Sequence, residues 1–494
     1  GSTSFSRFVG ERRTCDGAAA GLMDHSVSDS PAAALELHPS TGMADGPFHV
    51  TVHSLPPGCR VKLSSSLVDE RGGDFRCECV YVADRCGAVD TRVHPSVGGT
   101  FEGVQPTGLL DHLVAVEPGR RLLKRDVTTP WRVAVQLHRE GADAVKRVAE
   151  RWYLSPDVTV HEVDAGRLRG RLFVPAAHHG RVPAVIDLFG SLPGCVDFRA
   201  ALLASHGFLA YALPNYGYRD MPRSFAQVAG LVPDKAAAAA GPRPPPGIDL
   251  AYFEEAARWL QRHPRALEGG GVGVYGHSFG GGLALAMAAY FPPLLIGAAV
   301  SVNHGSALVV PLRHGMRRVQ PRHLAFNPCV ARVNAEGHGE AQWSYDEPDV
   351  AAREDKLFPI WASEVPVLLA VGGGDTGYPS AAYAERMRAL LRERAPPGRD
   401  VTIIVYPGAG HLLEPPHAPL ARFSRRTAEK SGLFQTSVAA ADPQLAAWLT
   451  DPEGLIDWGG RPAAHAAAQR QHWQDVQSFL GTRLCASARA AAAA

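Results

Sequence analysis

The stretch that most restricts what this chain can become is Gly271-Val-Gly-Val-Tyr-Gly-His-Ser-Phe-Gly-Gly-Gly-Leu-Ala-Leu285. The β-prone Val272, Val274 and Tyr275 lead into Gly276-His-Ser278-Phe-Gly280, and a small-residue helical pattern follows through Leu283, Leu285 and Met287. The pattern predicts strand, sharp turn, helix. Glycines two before and two after Ser278 remove the Cβ atoms that would hold strand and helix apart. A serine at such a turn carries its hydroxyl at the sheet edge, with the Phe279 N–H aimed at the same spot. G-x-S-x-G alone is a weak sign, because a glycine-rich turn can hold a serine by chance. Between a strand pattern and a helix pattern it marks Ser278 as the candidate nucleophile.

A chain of 494 residues is too long for one ordinary domain, so two are expected. With 50 Lys and Arg against 49 Asp and Glu, the net charge of +1 offers no large field for nucleic acid or a membrane surface, and a neutral or small substrate is expected instead. No apolar run reaches about 18 residues, so no membrane span is expected. The first residues lack the apolar core of a secretory leader. Eight cysteines without a CxxC pair suggest a reduced, intracellular compartment; cytoplasmic, mitochondrial and peroxisomal locations all remain open, as does a monomer or weak homo-oligomer.

Along the chain, residues 1–34 are polar and small and are expected to be flexible. Residues 35–155 carry short alternating β-prone runs, such as Phe75-Arg-Cys-Glu-Cys-Val-Tyr-Val and Trp131-Arg-Val-Ala-Val-Gln-Leu, separated by Pro and Gly. They predict an all-β, immunoglobulin-like sandwich domain. Residues 156–484 change rhythm: apolar runs such as Pro183-Ala-Val-Ile-Asp-Leu-Phe alternate with helical patterns, the mark of a doubly wound α/β domain. Expected elements include helices 249–263, 279–291, 380–394 and about 462–480, and strands 272–275, 365–371 and 401–406. Three interruptions break this rhythm: a Pro- and Ala-rich connection at 233–247, an insertion at 304–362 of the kind that caps a pocket, and an excursion at 421–456. Residues 485–494 read as a flexible tail.

A serine hydroxyl needs a base within hydrogen-bond reach and a third group to orient that base. Val365-Pro-Val-Leu-Leu-Ala-Val-Gly-Gly-Gly-Asp375 and Val401-Thr-Ile-Ile-Val-Tyr-Pro-Gly-Ala-Gly-His411 are apolar strands ending in glycines and one polar residue, in the order Ser, acid, His of an α/β-hydrolase. Asp375 and His411 are therefore the expected partners of Ser278, with Asp349 and Asp355 as reserve acids. The oxyanion hole is expected from the N–H of Phe279 and that of Ser191, or of Leu192, after the strand ending at Gly190. His277 suits packing or a hydrogen bond to the turn, and Cys195 suits a buried hydrophobe. The glycines at 269–273 lack the Lys-Ser/Thr of a phosphate loop, and Glu336-Gly-His338-Gly-Glu340 lacks the His-Glu-x-x-His spacing, so no cofactor and no metal are expected.

Gly98-Gly-Thr-Phe-Glu-Gly103-Val-Gln-Pro106, Asp69-Glu70-Arg-Gly, Arg121-Leu-Leu-Lys-Arg-Asp126, Gly170-Arg-Leu-Phe-Val-Pro175, Gly410-His411-Leu-Leu-Glu-Pro-Pro416 and Trp458-Gly-Gly-Arg-Pro-Ala-Ala-His465 give the chain a resemblance. From about 35 to 484 it resembles the acyl-CoA thioesterase and bile acid-CoA:amino acid N-acyltransferase family. The resemblance implies hydrolysis of a fatty acyl-CoA to free acid and coenzyme A, with Ser278, Asp375 and His411 as the triad. The alternatives are transfer of the acyl group to glycine or taurine, and general esterase or lipase activity. The conjugating branch carries cysteine at the nucleophile position, and serine here favours water. The elbow His-Ser-Phe-Gly-Gly departs from the Ile-Ser-Lys-Gly-Gly usual among the thioesterases.

Overall fold

The computed structural model describes residues 33–176, 180–230, 244–320, 322–347, 356–425, 443–451 and 453–493. Most of the 233–247 connection and the reserve acids Asp349 and Asp355 lie outside the described residues.

The larger part of the chain is built on β1 (Val158–Ala165), β2 (Leu168–Pro175), β3 (Ala184–Leu188), α1 (Phe198–Ser205), β4 (Leu209–Ala212), α2 (Leu250–Gln261), β5 (Val272–His277), α3 (Phe279–Tyr290), β6 (Ile296–Val302), β7 (Val367–Gly372), α4 (Ser380–Arg394), β8 (Val401–Tyr406) and α5 (Pro462–Ala493). The eight strands form one sheet in the order β1-β2-β4-β3-β5-β6-β7-β8. Only β2 runs against its neighbours; from β4 across to β8 every pairing is parallel. Strands β3, β5, β6 and β7 are buried along their whole length, which is why they read as unbroken apolar runs. Alternate residues face two cores. Tyr275, Val300 and Leu368 pack with α1 and α5. Val274, Ala299 and Leu369 pack with α2, α3 and α4.

The N-terminal part forms a six-stranded sheet and a three-stranded sheet. In Arg60–Val68 and Asp74–Val82 every second residue is buried, as a half-covered antiparallel strand requires. Leu35, Val50 and Val89 of the smaller sheet and Leu63, Cys77 and Val135 of the larger belong to one core, which continues into α1 and α5. Polar ties cross the same boundary: Asp111 accepts from His417 and Arg470, and Asp45 from Trp473 and His206.

Two features depart from the sequence reading. The insertion after β6 and the excursion after β8 fold together. Arg332–Val333, Gly339–Glu340, Leu455–Asp457 and Phe423–Arg425 make a small four-stranded sheet over a cluster that includes Trp448 and Trp458. The final helix also runs on to Ala493 through residues expected as a flexible tail. Alanine is the strongest helix former, and here it docks: a Cβ built on Gly269 would lie 2.5 Å from the Ala491 methyl. No helix among the described residues is long and apolar enough to cross a membrane.

Candidate active site

β5 ends at His277 and α3 begins at Phe279, so Ser278 alone makes the turn. Its φ of 54° and ψ of −124° lie where an L-residue is strained. The flanking glycines are required by contact. A Cβ on Gly276 would meet the Gly280 carbonyl oxygen at 2.0 Å, and one on Gly280 would meet the Leu188 carbonyl oxygen at 2.2 Å.

The other two predicted residues arrive from the ends of β7 and β8. His411 Nε2 accepts the Ser278 hydroxyl at 2.9 Å, and His411 Nδ1 donates to the Asp375 carboxylate at 2.9 and 3.0 Å. Asp375 and His411 are both buried. The carboxylate is aimed by three further donors, the N–H groups of Gly377 and Tyr378 and the Ser380 hydroxyl. The imidazole stacks on the Trp458 ring, with centroids 5.2 Å apart.

Asn303, which the sequence reading did not single out, and His277, which it did, hold this chain of groups in register. Asn303, fully buried just past β6, donates to the carbonyl oxygens of Gly410 (3.0 Å) and His411 (2.7 Å), while its own oxygen accepts the Gly372 N–H (2.6 Å). It therefore ties the exits of β6, β7 and β8 together. Its φ of 51° suits asparagine, which tolerates the left-handed region better than most side chains. His277 Nε2 donates to the same His411 carbonyl at 2.7 Å, so it bonds the histidine loop rather than its own turn. Burial and the neighbouring His411 hold its pKa well below the usual imidazole value, and it stays neutral. The only sequence clue to Asn303 is a polar residue at the carboxyl end of a buried strand, facing the edge where sites are built.

Ser191 stands beside the serine. A Cβ on Gly190 would lie 3.3 Å from the Ser278 Cβ, a tight approach that glycine avoids. Asn215 donates to the carbonyl oxygens of Phe189 and Gly190, and the Tyr216 hydroxyl to that of Ser191. In a planar trans peptide the N–H opposes the carbonyl, so the Ser191 N–H faces away from Asn215.

Ser278 and His411 open into a cavity of about 520 Å³ whose walls are mainly apolar, including Phe225, Leu308, Val310, Leu324 and Phe326. The insertion after β6 supplies most of that wall, as a cap does. His304 forms part of it, stacked on Tyr378, and burial lowers its pKa to about 4, so it too is neutral. Among the described residues no cluster of His, Cys, Asp and Glu could hold a metal ion.

The strand order and the strained serine after β5 place the chain in the α/β-hydrolase class. Residues 45–165 match the family model described as the acyl-CoA thioester hydrolase/BAAT N-terminal region, and residues 248–486 the one described as the BAAT/acyl-CoA thioester hydrolase C terminal. Human bile acid-CoA:amino acid N-acyltransferase is 34% identical over 90% of this chain and 96% of its own length. Human acyl-coenzyme A thioesterase 1 is 34% identical over 89% and 94%. Among solved structures, a dienelactone hydrolase-like promiscuous phosphotriesterase from metagenomic libraries matches 66% of this chain and 99% of its own, at 17% identity and a TM-score of 0.36. The chain belongs to the acyl-CoA thioester hydrolase/BAAT family of enzymes.

Proposed function

We propose that this protein hydrolyses fatty acyl-CoA thioesters through an acyl-serine intermediate, with Ser278 as nucleophile, His411 as base and then acid, and Asp375 as the group that orients the imidazole. The observation that carries the reading is the hydrogen-bonded run from Asp375 through His411 to Ser278 at the wall of an apolar cavity, in a family with thioesterase relatives. In the first step Ser278 Oγ bonds to the thioester carbon and its proton moves to His411 Nε2. The oxyanion is held by the N–H groups of Phe279, the first residue of α3, and Ser191. Collapse breaks the C–S bond, and the thiolate is a good enough leaving group that oxyanion stabilisation matters more than acid help. Water, activated by the same imidazole, then frees the acid.

The domains belong to the same proposal: an immunoglobulin-like sandwich over 35–155 and a catalytic domain over 156–484. An intracellular compartment and a fatty acyl-CoA substrate complete it.

One observation favours a second reading. Curated relatives also include acyl transferases to amino acids. Serine at 278, where the conjugating branch carries cysteine, supports water as the acceptor. Incubation with palmitoyl-CoA in the presence of glycine or taurine, followed by mass analysis, separates the two. Free palmitate matching released thiol is expected; an N-palmitoyl amide as main product overturns hydrolysis. Turnover of p-nitrophenyl esters with none of acyl-CoA would make the protein a general esterase.

The mechanism also gives Asn303 a measurable part. Asn303→Ala takes the side-chain partner from the Gly410 carbonyl and the Gly372 N–H, leaves the His411 carbonyl to His277 alone, and loosens the loop that carries His411. We expect kcat to fall by about tenfold to a hundredfold with KM nearly unchanged. Steady-state kinetics beside a melting curve checks this.

A further inference from the structure

Ser278 and His411 also border a second cavity, of about 240 Å³, of a different character. Its wall contains Arg71, Arg121, Arg125 and Arg425 and, among the described residues, no carboxylate. The whole chain carries a net charge of only +1, so this concentration of cations is local. Three of the four, Arg71, Arg121 and Arg125, lie in connections between strands of the N-terminal six-stranded sheet.

The nearby acids are already committed. Asp69 accepts from Arg120 at 2.8 and 3.0 Å, and from the backbone of Arg71 and Gly73. Glu70 accepts from Lys124 and from the Arg125 N–H. These bonds pin the 69–73 turn to the 120–126 segment and bring the side chains of Arg71 and Arg125 together. Neither has an ion-pair partner among the described residues, and both are exposed. Burial of part of the group and the charge of Arg71 pull the Arg125 guanidinium below its usual pKa. Arg121, half-buried, pairs with Glu414, and its Nε is buried with no hydrogen-bond partner among the described residues. Arg425 already pairs with Glu117 and Glu453 and has least to offer a ligand. Like charges held side by side without acids cost free energy, and a bound polyanion removes that cost.

Resting on the thioesterase reading, we infer that this second cavity takes the phosphate-bearing coenzyme A half of the substrate, with Arg71 and Arg125 contacting phosphate. Ser278 then sits between two chambers, one apolar for the acyl chain and one cationic for the leaving group. A pantetheine arm separates the phosphates of coenzyme A from its sulfur, so the cations belong at the solvent end of the cavity, where the two exposed arginines stand. The N-terminal part of the chain is thereby a substrate-binding element.

The test compares two thioesters in the full chain: decanoyl-CoA, and the decanoyl thioester of N-acetylcysteamine, which has the same reacting bond and no phosphate. The Arg71→Ala/Arg125→Ala variant is expected to lower the ratio of their kcat/KM values by about tenfold or more, through KM for decanoyl-CoA. An unchanged ratio overturns the inference. If the variant does not fold, the wild type decides by ionic strength. KM for decanoyl-CoA should climb with NaCl more steeply than KM for the truncated thioester, and equal slopes overturn the inference. If the wild type turns over neither thioester, the hydrolytic reading fails separately, and calorimetric titration of coenzyme A then decides. Affinity about tenfold weaker in the double variant upholds the inference; equal affinity, or no binding, overturns it.

Discussion

Ser278→Ala is expected to lower kcat/KM for an acyl-CoA by about 10⁴-fold or more, the scale seen when a triad nucleophile is removed. Almost all of the loss should fall on kcat, because the apolar cavity and the arginines are untouched. The hydroxyl makes one hydrogen bond, to His411. The turn itself is held by backbone: Ser278 N donates to the Val302 carbonyl, and Gly281 N to the Ser278 carbonyl. Alanine can occupy the same strained backbone conformation at a cost similar to that of serine, so the melting temperature should move by no more than a few degrees. Thiol release and thermal unfolding measured on one preparation check both halves. Thiol release at the wild-type rate by a folded Ser278→Ala protein would remove the nucleophile from the mechanism and with it the acyl-serine.

What set Ser278, Asp375 and His411 apart in the sequence is that each follows an apolar strand, β5 and β7 buried along their whole length and β8, at the sheet edge, partly covered. Such strands are apolar runs; Asp375 and His411 stand out as the first polar groups beyond the glycines that follow them, and Ser278 as the serine held between Gly276 and Gly280. Ser380–Arg394 and Val401–Tyr406 fall at the boundaries expected from the sequence, whereas β5 runs two residues further, to His277, because Gly276 is accommodated as strand under α3. Asn303 was not legible. One asparagine after a strand looks like any other, and its importance lies in three bonds to loops far away in sequence. Asn215 and Tyr216 escaped for the same reason. The small sheet joining 332–340 to 423–425 and 455–457 could not be read either, since strands of two or three residues have no period, and their pairing depends on the cap closing over Trp448 and Trp458.

Composition misled at two places. Near-zero net charge argued against strong fields, but charge balance over a whole chain says nothing about where acids are consumed. Asp69 and Glu70 are taken up by Arg120 and Lys124, and so Arg71 and Arg125 are left without an ion-pair partner among the described residues. The alanine-rich end, residues 485–494, read as a flexible tail. A helix already anchored by Trp473, Val476, Leu480 and Leu484 needs only good propensity to continue, and alanine supplies it.

Arg199→Met should cost the fold about 3–5 kcal/mol, a large share of a typical domain's stability. Arg199, on α1, and Asp187, on β3, are an ion pair with side chains 1% and 0% exposed. The guanidinium also donates to the Leu188 carbonyl at 3.0 Å and lies over the Tyr275 ring at 4.4 Å. Methionine fills much of the volume but leaves the Asp187 carboxylate alone in the core, two residues before Phe189 and on the strand that leads to Ser191. An apparent melting temperature lower by roughly 10 °C or more is therefore expected, with turnover impaired as the Ser191 loop loosens. The deficit has a pH signature. Burial already pushes the Asp187 carboxyl up against the pull of Arg199, and removing the cation pushes it further. A carboxyl whose folded pKa lies above its unfolded value binds a proton more readily in the native state, so it favours the fold at low pH and loses that advantage as pH rises through the folded value. The gap between variant and wild type should narrow as pH is lowered from about 8 to about 5. A double variant, Asp187→Leu with Arg199→Met, separates charge from packing. If the unpaired carboxylate causes the loss, the double variant recovers most of the stability. Equal loss in the single and double variants would show instead that the stacked guanidinium, through its contacts with Tyr275 and Phe189, is what the core requires.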